Sequence, residues 1–134
     1  METSFEDLRG LVLTNIEGAC EQSGEVVLRA DLDRRAFRLY HRQDCCEGVY
    51  LTEIIGDPAD LLFTPILVAE ELVNPPDMPG REYAESFTWT FYELRTKKGT
   101  VVLRWYGSSN GYYGERVDFE EVPHEYKLGD DYRA

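Results

Sequence analysis

The chain has 134 residues, with 14 Lys and Arg against 26 Asp and Glu, for a net charge of −12 at neutral pH. That length fits a single domain over 1–134, large enough to bury roughly two-thirds of its unfolded surface without a staple. Hydrophobic residues at 43% and aromatics at 13% argue against disorder, the acidic balance argues against direct nucleic-acid binding, and no apolar run approaches the ~20 residues of a membrane helix.

A short helical turn is predicted first, over residues 4–9 of an N-terminal segment 1–10. Ser4 is a good cap, Asp7 stands at the capping-box spacing and Gly10 is a natural stop. Strand patterns follow at 11–17 and 25–31, with Ser23-Gly24 as the turn between them. Residues 35–42 alternate, placing Phe37, Leu39 and His41 on one face and Arg38, Tyr40 and Arg42 on the other. Residues 44–48 read as one capped turn, with Asp44 as cap, Glu47 in the capping-box position and Gly48 ending it. A strand is expected over 49–55, then a second turn with Asp57 as cap and Pro58 at its first position.

Residues 65–73 read as a strand. The Pro-rich stretch 74–84 reads as a loop, the longest and most mobile in the chain. Residues 86–96 form a long Thr- and aromatic-rich strand, with Phe87, Trp89 and Phe91 on one face and Thr88, Thr90, Tyr92 and Leu94 on the other. Lys97-Lys98-Gly99 turns the chain into an antiparallel return over 100–106. Asn110-Gly111 carries a type I′ turn signal, after which 117–122 pairs back, and 123–134 is a polar, loosely attached tail. About eight short strands with one to three helical turns predict a mainly β domain, one antiparallel sandwich or half-open barrel, with α+β only at the margin.

Charge and thiols bound the function further. Residues 44–86 hold ten acids against the single base Arg81, a net of −9, while 30–43 and 87–114 are mildly basic. This block is either a solvated face or a surface for a basic partner, in the manner of a nucleic-acid mimic. Three cysteines (Cys20, Cys45 and Cys46) and no basic-then-apolar N-terminus predict reduced thiols in a cytoplasm.

Three clusters carry possible chemistry. The run His41-Arg42-Gln43-Asp44-Cys45-Cys46-Glu47 could hold a thiol nucleophile with His41 as its base, or a metal. Capping explains Asp44 and Glu47 equally well, however, and adjacent cysteines lack the spacing of a zinc site. Trp105, Tyr106, Ser108, Ser109, Asn110, Tyr112 and Tyr113 form an aromatic and amide group, either cross-strand packing or a contact surface. Glu70 and Glu71 point to opposite faces, so no acid/base pair is visible, and Gly-rich phosphate loops are absent.

At these residues the chain resembles a family of small uncharacterised proteins of phage and bacterial genomes. The motifs are Tyr40-His41-x-Gln43-Asp44-Cys45-Cys46-Glu47-x-Val49 with Glu53-Ile54-x-Gly56-Asp57, then Glu85-Ser86-x-Thr88-Trp89-Thr90-Phe91-Tyr92, and Arg104-Trp105-Tyr106-Gly107-x-Ser109-Asn110-Gly111-Tyr112-Tyr113. The resemblance spans 38–119, and Gly114 departs from it. It implies a phage-associated accessory protein and transfers no activity.

The reading is a non-enzymatic binding protein that occupies a host protein or sequesters a small ligand between the motif regions. Its expected contacts are Trp105, Asn110, Tyr112 and Tyr113, with His41, Gln43 and Asp44 nearby. No catalytic residue, cofactor or metal is assigned, and the chain is a monomer or homodimer. The alternatives are a small thiol- or metal-dependent hydrolase using His41 with Cys45 or Cys46, and the acidic mimic.

Overall fold

A computed structural model describes residues 3–75, 78–80 and 85–130. Eight strands run β1 (Leu13–Glu17), β2 (Glu25–Ala30), β3 (Arg35–Tyr40), β4 (Gly48–Ile55), β5 (Val68–Val73), β6 (Ser86–Thr96), β7 (Gly99–Ser109) and β8 (Asp118–Val122). They form two four-stranded sheets, β1-β2-β3-β8 and β4-β7-β6-β5, and the named strand pairs are all antiparallel. The architecture is the β-sandwich that the strand spacing predicts.

Apolar alternation selects the inner faces. Leu28, Phe37 and Leu39 of one sheet meet Leu51, Tyr92, Leu94, Leu103 and Trp105 of the other, all buried. The 3-10 turn Phe5–Leu8 closes one side of this core with Phe5 and Leu8, and its capping box joins Ser4 to Asp7 as predicted. Phe5 lies 4.6 Å from the Tyr92 ring and 5.4 Å from that of Phe119, so the turn touches both sheets. The second turn, Pro58–Leu61, is capped by Asp57 and buries Leu61.

Several expectations need correction. Residues 44–48 form no helical turn. The Glu47 side chain accepts the Asp44 and Cys45 N–H groups instead, so the loop's donors are satisfied without a helix. The strand expected over 65–73 is confined to Val68–Val73, because Ile66 is engaged with Gly10 and Leu11. Residues 117–122 do not pair back on β7. Strand β8 crosses to the other sheet and pairs with β3, where Phe119 stacks on Phe37 at 5.7 Å. Asn110-Gly111 is not a type I′ turn, since of the two only Gly111 has a positive φ; the Asn110 side chain accepts from Tyr112 N–H instead. Of the loop 74–84, residues 76–77 and 81–84 lie outside the described residues, as do 1–2 and 131–134.

The segment expected as a loose tail runs, over 123–130, across the outer face of the first sheet. Arg29 donates to the carbonyls of His124 and Tyr126, Arg38 donates to the Tyr126 hydroxyl, and Gly129 N–H reaches Glu25. Val27, on that outer face, is fully buried as a result.

Leu39 is fully buried and Leu32 is 74% exposed. Leu39→Ala is expected to lower unfolding free energy by about 2–5 kcal/mol. Leu32→Ala should stay within about 0.5 kcal/mol of wild type. Urea unfolding of the two variants checks both.

Candidate functional site

One end of the sandwich gathers the residues that the sequence singles out. The loop leaving β3 carries His41 to Glu47, and the loop leaving β7 carries Asn110 to Val117. The first loop ends on β4, whose Gly48 and Val49 pair with Ser108 and Gly107 of β7, so the two loops start side by side. Gly107 is required there, because a Cβ would stand 2.5 Å from the Glu115 carbonyl oxygen.

Glu47 is the centre of the first loop. Its side chain is wholly buried and its carboxylate accepts from His41 Nε2 at 2.7 Å, Asp44 N–H at 2.8 Å and Cys45 N–H at 3.0 Å. Burial alone pushes the carboxyl upward, but the His41 and backbone donors outweigh it and hold Glu47 at about 2. His41 Nδ1 lies 2.7 Å from the Arg116 carbonyl oxygen. The pair therefore clasps the β3–β4 loop to the segment that enters β8. Gln43 adds a second tie by donating its amide to the carbonyls of Cys45 and Glu47.

Glu115 organises the second loop. It is buried, and its carboxylate accepts from Thr88 Oγ1 at 2.8 Å and Ser109 Oγ at 2.5 Å. Ser109 Oγ also accepts from Gly111 N–H. The turn is thus fastened from below, and at its tip Tyr112, 83% exposed, packs edge-to-face on Tyr113 at 4.9 Å.

The expected site residues fare differently. His41, Gln43 and the backbone of Asp44 come together with Glu47, while Asn110, Tyr112 and Tyr113 share the neighbouring turn. Trp105 does not belong with them: it points into the core and is fully buried, so it has no surface to offer a partner. Each loop is tied internally by its own buried carboxylate, Glu47 in the first and Glu115 in the second. A cavity of about 270 Å³ borders the end of the second loop, lined by residues that include Phe5, Glu71, Arg116 and Phe119. Glu115 gave no sign in the sequence, since an isolated Glu beside Arg116 matches no motif.

The thiol expectation changes too. A disulfide joins the adjacent Cys45 and Cys46, which the bent loop brings together, and Cys20 is free and exposed. Both His41 ring nitrogens are engaged by other partners, so His41 is not poised as a base for either cysteine. Among the described residues no group of three or more His, Cys, Asp or Glu could hold a metal ion. Among the described residues no helix is long and apolar enough to cross a membrane.

A family model described as a domain of unknown function matches residues 6–119. The chain belongs to the DUF7448 family. The DUF7448 region includes both loops, both buried carboxylates and the Tyr112–Tyr113 turn, and ends just inside β8. No match was found among curated proteins or among solved structures.

The lowered Glu47 carboxyl fixes a pH dependence. A carboxyl held lower in the folded chain than in the unfolded one stabilises the fold above roughly pH 4.3, the unfolded value, and that contribution is lost as pH falls toward 2. Urea midpoints should drop across this window, and Glu47→Gln should be less stable at pH 7 with a shallower acid-side drop. Separately, Ser109→Ala removes a donor from buried Glu115 and should cost about 1–3 kcal/mol, read by thermal unfolding.

Proposed function

We propose that this DUF7448 chain is a non-enzymatic binding protein that docks a macromolecular partner through the Tyr112–Tyr113 turn. The observation that carries this reading is Tyr112 raised into solvent and backed edge-on by the half-buried Tyr113, on a turn whose base is fastened by buried hydrogen bonds. An exposed tyrosine braced by a neighbouring ring loses little entropy on binding and supplies a large contact area. Asn110, which shapes the turn, contributes through its conformation as well as its amide.

The partner fits a host protein, and the role that of a phage-associated accessory protein, on the strength of the motif resemblance alone. Sequestration of a small ligand between the motif regions is less well supported, because both loops spend their polar groups on the buried carboxylates Glu47 and Glu115. The hydrolase alternative lacks a free His41 nitrogen. The acidic mimic loses much of its charge pattern: Glu47 is buried, Glu53 pairs with Arg104, Asp57 caps a turn and Glu71 accepts from Tyr92.

Affinity capture from host lysate, followed by calorimetry on the recovered partner, tests the proposal. Tyr112→Ala and Tyr113→Ala are expected to weaken binding by roughly 30-fold or more, with little salt dependence. The melting temperature of Tyr112→Ala should barely move, because that side chain is mostly exposed. Undiminished binding by both variants would contradict the assigned surface.

A further inference from the structure

The outer face of the second sheet carries a row of aromatic rings that the Tyr112 turn does not use. Strand alternation puts Phe87, Trp89 and Phe91 of β6 on this face beside Tyr106 of β7 and Tyr50 of β4. Trp89 lies 4.7 Å from Tyr106, Phe87 stacks on Tyr106 at 6.1 Å, and Tyr50 meets Tyr106 edge-on at 6.4 Å. An aromatic face of this kind on the outside of a sandwich requires a cover.

The cover is the chain's own proline segment. Asn74 starts it by exchanging hydrogen bonds with the Trp89 backbone. Further on, Trp89 Nε1 donates to the Pro79 carbonyl at 3.0 Å. Gly80 then lies flat on Phe87, so closely that a Cβ would stand 2.5 Å from the ring. Trp89 is only 7% exposed under this cover. An indole N–H donating to a proline carbonyl, with aromatic rings around it, is how extended proline-rich segments are recognised. Proline keeps such a segment extended at low entropic cost and leaves its carbonyls free to accept. Arg104 shares the face, its guanidinium over Phe91 at 4.9 Å, and its buried Nε has no hydrogen-bond partner among the described residues.

We propose that the Phe87–Trp89–Tyr106 face is a groove for an extended proline-containing segment of another protein, held closed in the free chain by Pro79 and Gly80. This surface is separate from the Tyr112 turn and stands whether or not that turn binds anything. Being tethered, the strap acts as an intramolecular competitor at high effective concentration. An incoming segment must displace it, so loosening the strap raises apparent affinity without altering the groove.

The test uses the ¹⁵N-labelled full chain and follows the Trp89 indole N–H resonance while a synthetic peptide is added. The probes are decaproline and a peptide with the sequence of residues 73–82. Gly80→Val forces the strap off the Phe87 ring while leaving the groove residues intact. Both probes are expected to shift the Trp89 resonance, with half-saturation at a peptide concentration at least about tenfold lower in Gly80→Val than in wild type. The Trp105 resonance, which belongs to the core, should stay put in both.

A Trp89 resonance unmoved in both proteins up to ~1 mM peptide overturns the groove. Equal half-saturation in the two proteins overturns the strap's role as competitor. A Gly80→Val dimer with Trp89 again covered assigns the groove to a second copy of this chain and overturns the external partner. Should Gly80→Val fail to fold, Asn74→Ala, which removes the strap's side-chain bond to Trp89 N–H, takes its place in the same titration with the same outcomes.

Discussion

A carboxylate buried without a metal or an Arg beside it must be fully supplied with hydrogen-bond donors, and Glu47 meets that demand by folding the loop around itself. Its three donors, His41 Nε2 and the N–H groups of Asp44 and Cys45, fix the path from β3 into β4. Because β3 and β4 belong to different sheets, this loop joins the two layers. His41 extends the tie to Arg116, just before β8. The connection from β7 to β8 also changes sheets, so the His41–Glu47 hydrogen bond anchors both crossovers at this end.

The rest of the site follows from that anchoring. With Arg116 held, Glu115 is turned inward over Gly107, where Thr88 and Ser109 can reach it. The residues between Ser109 and Glu115 then have no way to spread and stand up as a tight turn, with Tyr112 outermost. The same strand β6 that gives Thr88 to this network on its inner face presents Phe87 and Trp89 on its outer face. Two surfaces, one polar-aromatic and one aromatic under a proline strap, are therefore built on opposite sides of a single strand.

Local signals read well from the sequence wherever local physics decides. The Ser4–Asp7 capping box, the Asp57-Pro58 turn and β6 over 86–96 follow from cap chemistry and alternation, and all three stand where the pattern places them. Asp44 and Glu47 show the limit of that reasoning. Glu47 does accept from Asp44 N–H, the backward half of a capping box, yet no helix forms, because the same carboxylate also takes His41 from the end of β3. The partner of β8 was illegible for a related reason. Phe119 and Asp118 suit any half-buried strand, and because β4 and β6 take both edges of β7, β8 pairs with the free edge of β3 instead. Trp105 looked like a contact residue because it sits among exposed tyrosines in sequence, whereas strand parity turns it into the core.

The measurement that reaches the central claim most directly is a ¹³C NMR titration of the Glu47 side-chain carboxyl in the full chain. With its three donors in place, Glu47 should remain ionised through the range where ordinary glutamates protonate and change only near pH 2. A midpoint in the usual glutamate range, near roughly pH 4.3, would mean that the carboxylate lies in water, and the clasp between the two sheets would not exist.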